Sequence, residues 1–386
     1  MGLTCMNHHF PLPAGGELSL LRYPRKAQDK LQAWEAADEY LINELATLEL
    51  DTSAQVLILN DGFGALTLAL HQYRPYSLSD SRISELACAA NAHDNQLPES
   101  WQKLSSLATW PAGDDAPDVV LIKLPKNNAM LEYQLAQLSQ IVTPATRVIA
   151  AGKAKDIHSS TLALFERHLG ATKTSLAWKK ARLIFCTPDP TLKAATLPEP
   201  VAWPLDGTDF TLYNHANVFA RASLDIAARL FLEHLPKEQS GHIIDLGCGN
   251  GVLGLMALVH NPKAEVTFTD ESYMAIASAR HNVRHNLAHA ETRAHFSVNN
   301  CLDGVASDSI DIILCNPPFH QQQAITDHIA WEMFVDAKRV LRSGGELWVV
   351  GNRHLDYHHK LARLFGNHTV VASNPKFVIL KAIQPR

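Results

Sequence analysis

The feature that most constrains the fold of this chain is a stretch that occurs twice. Asp118-Val-Val-Leu-Ile-Lys123-Leu124-Pro125-Lys126 and Asp311-Ile-Ile-Leu-Cys-Asn316-Pro317-Pro318-Phe319 align residue for residue. In each, an acid precedes a continuous apolar run, the mark of a strand buried on both faces. Such strands lie inside parallel sheets covered by helices on both sides. Other landmarks repeat in the same order. Val56–Asn60 leading into Asp61-Gly62-Phe63-Gly64 parallels Ile243–Leu246 leading into Gly247-Cys248-Gly249-Asn250-Gly251. Ser77–Asp80, with a helix ending near Asn91, parallels Thr267–Asp270, with a helix ending near Asn282; Gly152 and the helix to His168 parallel Gly351 and the helix to Phe365. Landmarks repeated in order imply a duplicated α/β domain.

The 386 residues suit two domains of about 150–200 residues each. Pro188, Pro190, Pro198, Pro200 and Pro204 interrupt any helix or central strand, so residues 188–208 read as a linker between domains 1–187 and 209–386. The second domain alternates regularly. A helix Ala222–His234 precedes strand His242–Asp245, helix Val252–His260, strand Val266–Thr269, helix Met274–Asn286 and strand His295–Val298. Strand Ile310–Cys315, helix Trp331–Leu341, strand Glu346–Val350 and helix His358–Phe365 follow. Thr369–Ala372 and Phe377–Ala382 are joined by a loop too short for a parallel crossover and are therefore antiparallel. The expected architecture is two tandem Rossmann-like domains, each a seven-stranded, mostly parallel sheet with an antiparallel C-terminal hairpin, the first degenerate.

A net charge of -5 speaks against broad nonspecific binding to nucleic acid while leaving room for a local basic face. The six cysteines show no CxxC pair and no Cys/His spacing suited to zinc, so no metal site is expected and the thiols read as reduced. An export leader and a long apolar span are both absent from the pattern, which implies a cytoplasmic protein with no membrane partner.

Gly249-Asn250-Gly251-Val252-Leu253-Gly254, with Asp270 downstream, fits two cofactor classes. Both need glycine so that a ligand can approach backbone at a helix N-terminus. A dinucleotide pyrophosphate wants bare N–H groups; the ammonium of S-adenosylmethionine wants an acceptor. Asp245, two residues before Gly247, supplies one, directly or through water, and Asp270 with Glu271 would accept from the ribose hydroxyls.

Asn316-Pro317-Pro318-Phe319 tips the balance towards methyl transfer to an exocyclic amine. It follows a central buried strand and so projects at the carboxyl edge, where open α/β sheets bind ligands. The lone pair of a base amine is delocalised, and the nitrogen is a poor nucleophile. The Asn316 side-chain carbonyl and the Pro317 backbone carbonyl would accept both N–H bonds and aim the lone pair at the methyl group. Phe319 offers a stacking face. A proline turn capping a strand is the plain structural alternative.

Asn300 and Cys301 follow the third strand, where they either contact an adenine ring or form a simple turn. Phe219 reads equally as a pocket wall and as a hydrophobic staple, and His320 as a surface residue or an RNA contact. The first domain lacks these groups: Ile58 stands where the second has Asp245, Asn60 where it has Gly247, and Lys123-Leu124-Pro125-Lys126 replaces the tetrad. A lysine cannot accept an amine hydrogen bond but can contact phosphate. With Lys153, Lys155, Lys173, Lys179, Lys180 and Arg182, these lysines suggest either a basic stripe for RNA backbone or an ordinary solvated surface.

On Asp245-Leu-Gly-Cys-Gly-Asn-Gly251, Asn316-Pro-Pro-Phe-His320 and the helix that follows, the chain resembles the bacterial rRNA guanine-N2 methyltransferases of the RlmG and RsmC type. Asn316 to Gln323, with Gly351 to Tyr357, is closer to the large-subunit branch. The resemblance implies S-adenosylmethionine as cofactor and N2 of one guanine in 23S rRNA as target, with no role for DNA and a monomeric chain. Asn300 stands where that family carries an acid. An adenine-N6 or protein-glutamine methyltransferase, or a noncatalytic RNA-binding assembly factor, are the competing readings.

Overall fold

Two sheets with one strand order dominate the computed structural model, which describes residues 8–26, 29, 31–111, 115–318 and 323–385. The chain divides into units Met1–Pro198 and Glu199–Arg386. The first runs β1 (His9–Pro11), β2 (Glu17–Ser19), α1 (Ala36–Ala46), β3 (Val56–Leu59), α2 (Ala65–Ala69), β4 (Tyr76–Ser79), α3 (Arg82–Asp94) and β5 (Gln102–Ser105). It continues with β6 (Val119–Lys123), α4 (Asn128–Leu138), β7 (Arg147–Lys153), α5 (Ser159–His168), β8 (Thr172–Thr174) and β9 (Ala181–Cys186).

The second unit runs β10 (Val201–Pro204), β11 (Thr211–Asn214), α6 (Ile226–Glu233), β12 (Ser240–Leu246), α7 (Val252–His260), β13 (Lys263–Asp270), α8 (Tyr273–Asn286) and β14 (Ala294–Val298). Then come β15 (Ile310–Cys315), α9 (Gln323–Val340), β16 (Leu341–Asn352), α10 (Tyr357–Phe365), β17 (Thr369–Ser373) and β18 (Phe377–Ile383).

The sheets are ordered β5-β4-β3-β6-β7-β9-β8 and β14-β13-β12-β15-β16-β18-β17. In the second, β18 is antiparallel to both β16 and β17, as the short loop requires. Both faces are buried: Ile243, Phe268 and Leu314 pack on one side, Ile244, Ile313 and Phe334 on the other. This is why the Ile310–Cys315 run shows no polar alternation.

The duplication extends to register and side-chain hydrogen bonds. Leu57 lies opposite Val120, and Ile244 opposite Ile313, pairs that correspond under the sequence alignment. Asp118 accepts from the Gln55 N–H at 2.8 Å, and Asp311 from the His242 N–H at 2.7 Å. Asn91 donates to the Leu21 and Phe63 carbonyls and accepts from the Leu21 N–H; Asn282 donates to the Tyr213 and Asn250 carbonyls and accepts from the Tyr213 N–H. Each of these asparagines ties an N-terminal hairpin (β1/β2 or β10/β11) to the loop after the first strand of its sheet.

Three sequence expectations need correction. Residues 188–208 are not uniform linker, since Val201–Pro204 pairs antiparallel with Thr211–Asn214. A two-stranded ribbon has free edges that tolerate a proline, and burial of Leu212 holds it to the core. The helix before β12 starts at Ile226, with Asp225 as its N-cap, rather than at Ala222. Helix α9 begins at Gln323, two turns ahead of the expected Trp331.

Candidate active site

Adjacency in the second sheet brings the sequence-selected residues to one edge. Strands β14, β13, β12 and β15 are parallel neighbours, so Asn300 and Cys301, Asp270 and Glu271, Asp245 with the glycine loop, and Asn316 with Pro317 all lie at carboxyl ends. The glycines have separate tasks. Gly247, Gly249 and Gly251 adopt φ of +71°, +54° and +80°. A Cβ on Gly251 would meet the Ala279 Cβ at 2.7 Å, whereas one on Gly249 would meet nothing within 4 Å. Gly251 therefore allows α7 to pack on α8, and Gly249 leaves open space over the loop.

The carboxylates shape that loop. Asp270 accepts from the Gly249 N–H and the Ser272 N–H, both at 2.9 Å. Asp245, expected to face a ligand ammonium, is 1% exposed and accepts from the Gly254 N–H at 2.8 Å in the first turn of α7. A carboxylate at a helix N-terminus is favourably placed. Burial nevertheless pushes its pKa up to about 7, the Asp270 charge adds to the rise, and the Gly254 N–H opposes it. Asp245 thus holds the backbone of the first turn of α7.

Asn300 lies in the turn that follows β14. Its amide donates to Asp303 at 3.0 Å and the residue is 9% exposed. Cys301 takes φ of +44°, and burial raises its thiol to about 12. The turn is anchored from α9, where Asp336 accepts from the Leu302 N–H at 3.1 Å and Arg339 donates to the Leu302 carbonyl at 2.8 Å. Phe219 is 56% exposed. Phe319 and His320 lie outside the described residues.

Asn316 sits at the end of β15 with its amide Nδ2 3.4 Å from Asp225 Oδ2. Its Oδ1 is buried and has no hydrogen-bond partner among the described residues. An unsatisfied buried carbonyl is costly and calls for an explanation. Pro317, next in sequence, is buried. Asp225 was overlooked in the sequence analysis, although an acid just before an apolar helical run is an N-cap signal.

In the first unit the same positions are filled by the chain itself. Asp61 accepts from the Gly64 N–H at 3.1 Å and the Thr67 N–H at 2.8 Å, doing from within the loop what Asp245 does from the strand. Lys123, expected to meet phosphate, instead donates to Asp38 at 2.9 Å; its side chain is 15% exposed and that of Asp38 0%. Lys153 pairs with Glu35 at 3.2 Å, and Lys179 with Glu39 at 2.6 Å. Lys173 lies over the Phe185 ring, and the Arg182 Nε is buried without a partner among the described residues. Lys126, Lys155 and Lys180 are exposed. The expected stripe is thus interleaved with acids.

Comparison with known proteins agrees with this layout. The family model described as RLMG N-terminal domain matches residues 9–190, and that described as Methyltransferase small domain matches residues 209–381. A protein of Aeromonas hydrophila named ribosomal RNA large subunit methyltransferase G is 64% identical over 371 residues, 95% of this chain and 97% of its own. This chain belongs to that family. A Klebsiella pneumoniae member of the same name is 58% identical over 374 residues, 96% of this chain and 97% of its own. Among solved structures, a T. thermophilus 16S rRNA N2 G1207 methyltransferase (RsmC), in complex with AdoMet and guanosine, aligns with a TM-score of 0.75. It covers 97% of this chain and 98% of its own at 24% identity, a likeness of fold in both units. Among the described residues of this family member no cluster suited to a metal ion occurs, and no helix is long and apolar enough to cross a membrane.

Proposed function

We propose that this chain transfers a methyl group from S-adenosylmethionine to the exocyclic N2 of a guanine in 23S rRNA. The observation that carries the reading is the buried Asn316 Oδ1, without a partner among the described residues, beside Pro317 at the carboxyl end of β15. Large-subunit ribosomal RNA is the substrate in the names of the relatives; guanine N2 comes from the motif resemblance.

The residues present fit the cofactor. Gly249 leaves space over the loop, and Asp270, which ends β13, and Glu271 after it are acceptors for a ribose. When bound, S-adenosylmethionine supplies a methyl group activated by positive sulfur. Asn316 and Pro317 accept the two amine N–H bonds and hold the nitrogen lone pair on line. Phe319 stacks the base. With the amine held by Asn316 and Pro317, the nitrogen would take the methyl as the S–C bond breaks towards sulfur, and the surplus amine proton would leave to solvent. Orientation and fixed dipoles do the work without a strong base. The target base leaves its stack to reach this edge, at a cost of a few kcal/mol. Asn300 and Cys301 border the adenine side, and Lys126, Lys153, Lys155, Lys179, Lys180 and Arg182 of the first unit contact RNA backbone. Each unit has its own core, and the second carries all the proposed catalytic residues; the reading takes the protein as a cytoplasmic monomer that acts on RNA rather than DNA.

Labelled cofactor incubated with ribosomal RNA and digested to nucleosides tests this. N2-methylguanosine is expected; N6-methyladenosine or labelled protein would overturn it. Asn316→Ala should lower turnover by about 100-fold or more while cofactor affinity stays unchanged.

A further inference from the structure

Asn316 can serve only if its amide has one orientation, with oxygen towards the substrate and nitrogen away. The two ends of an amide are nearly equal in size, so sterics alone do not choose between them. A carboxylate does, because it accepts and cannot donate. Asp225 Oδ2 is 3.4 Å from the Asn316 Nδ2, and the same oxygen accepts from the Ala228 N–H at 3.0 Å. The second bond ties the carboxylate to the first turn of α6. Turning the Asn316 amide over would set its oxygen against this charge.

The first unit carries the same device independently. Asp38, in the first turn of α1, uses one oxygen to accept both from the Glu35 N–H at 2.8 Å and from Lys123 at 2.9 Å. Lys123 stands at the strand-end position that aligns with Asn316. In both units, therefore, an acid at the start of the first sheet-covering helix grips the residue that ends the fourth strand of the repeat. The acid persists while the residue it grips changes from asparagine to lysine.

We infer that Asp225 is a positioning residue, which fixes the Asn316 amide with its oxygen presented to the substrate amine. The inference rests on the function proposed above. Asp225→Ser keeps a hydroxyl to cap Ala228 but is too short to hold Asn316; Asp225→Asn keeps an oxygen able to do both. Asp225→Ser should lower kcat about 10- to 100-fold, with cofactor affinity and melting temperature near wild type, and Asp225→Asn should restore most of the rate. In Asn316→Ala the Asp225→Ser change should have no further effect, because the two act as a unit.

Orientation can also be read without turnover. The Asn316 side-chain NH2 resonance, assigned by its loss in Asn316→Ala, should exchange with solvent at least ten-fold faster in Asp225→Ser than in wild type or Asp225→Asn. Unchanged exchange, or additive losses in the double variant, would overturn the inference. If wild-type protein forms no N2-methylguanosine, the proposed function fails, and the NMR comparison still decides what Asp225 does. A drop in the melting temperature of Asp225→Ser matched by Asp225→Asn, with amide exchange unchanged, would reduce Asp225 to a helix cap.

Discussion

Residue identities were legible in the sequence; what each side chain engages was not. Asp245 was chosen as an acceptor for a ligand, and it lies under the loop on the Gly254 N–H. Spacing reveals that an acid ends the strand but not which way it turns, since a helix N-terminus and a ligand both attract a carboxylate. Its burial has a measurable consequence. The native state holds the Asp245 proton up to about pH 7, whereas the unfolded chain releases it near the ordinary value of 3.8. This contribution is therefore complete below the unfolded value and is lost as pH rises through 7. Between pH 4 and pH 8 the cofactor-free second unit should lose roughly 2–4 kcal/mol more than the Asp245→Asn variant, which keeps an acceptor for Gly254 and cannot ionise. Hydrogen exchange in β12 across a urea series would measure the difference; parallel pH profiles would place the ionised form in the native state.

At the scale of elements, the alternation of buried strands and helices could be read because two-sided burial leaves continuous apolar runs. The hairpin β10/β11 was missed because prolines, which exclude central strands, do not exclude a ribbon with free edges. Side-chain-to-backbone bonds, which leave no periodic trace, add to the burial of Leu212 in tying it to the rest of the unit. Asn282 meets both the Tyr213 backbone and the Asn250 carbonyl and is fully buried. Asn282→Ala would strand these groups and should destabilise the second unit by about 1–3 kcal/mol, loosening the glycine loop. The matching Asn91→Ala should do the same in the first unit alone. Calorimetry would show which transition moves, and a shift of both together would tie the units into one folding block.

For the whole molecule, the duplication was the most legible feature and the basic face the least. Charges stand out in a sequence, but their acidic partners come from distant positions: Asp38 for Lys123, Glu35 for Lys153 and Glu39 for Lys179. Burial sets Lys123 apart from Lys126, Lys153, Lys155, Lys179 and Lys180, which are exposed. Reversing Lys126, Lys155 and Lys180 together to Glu should weaken RNA binding and flatten its salt dependence by up to about two to three counterions, with cofactor affinity intact. Lys123→Ala should instead destabilise the first unit by on the order of 3 kcal/mol, since it leaves Asp38 buried and uncompensated. Filter binding across a salt series and thermal melts would separate the two; a pure RNA defect in Lys123→Ala would return it to the surface group.

The Lys123–Asp38 pair also sets the two halves apart in how they answer to the cell. The first unit carries the cation that completes its strand end on its own chain, always present and never diluted. The proposed ligand of the second arrives by mass action, so its stability climbs with the logarithm of free methyl donor. The strand end of the first unit is thus complete without the methyl donor, while the stability of the second is linked to metabolite supply.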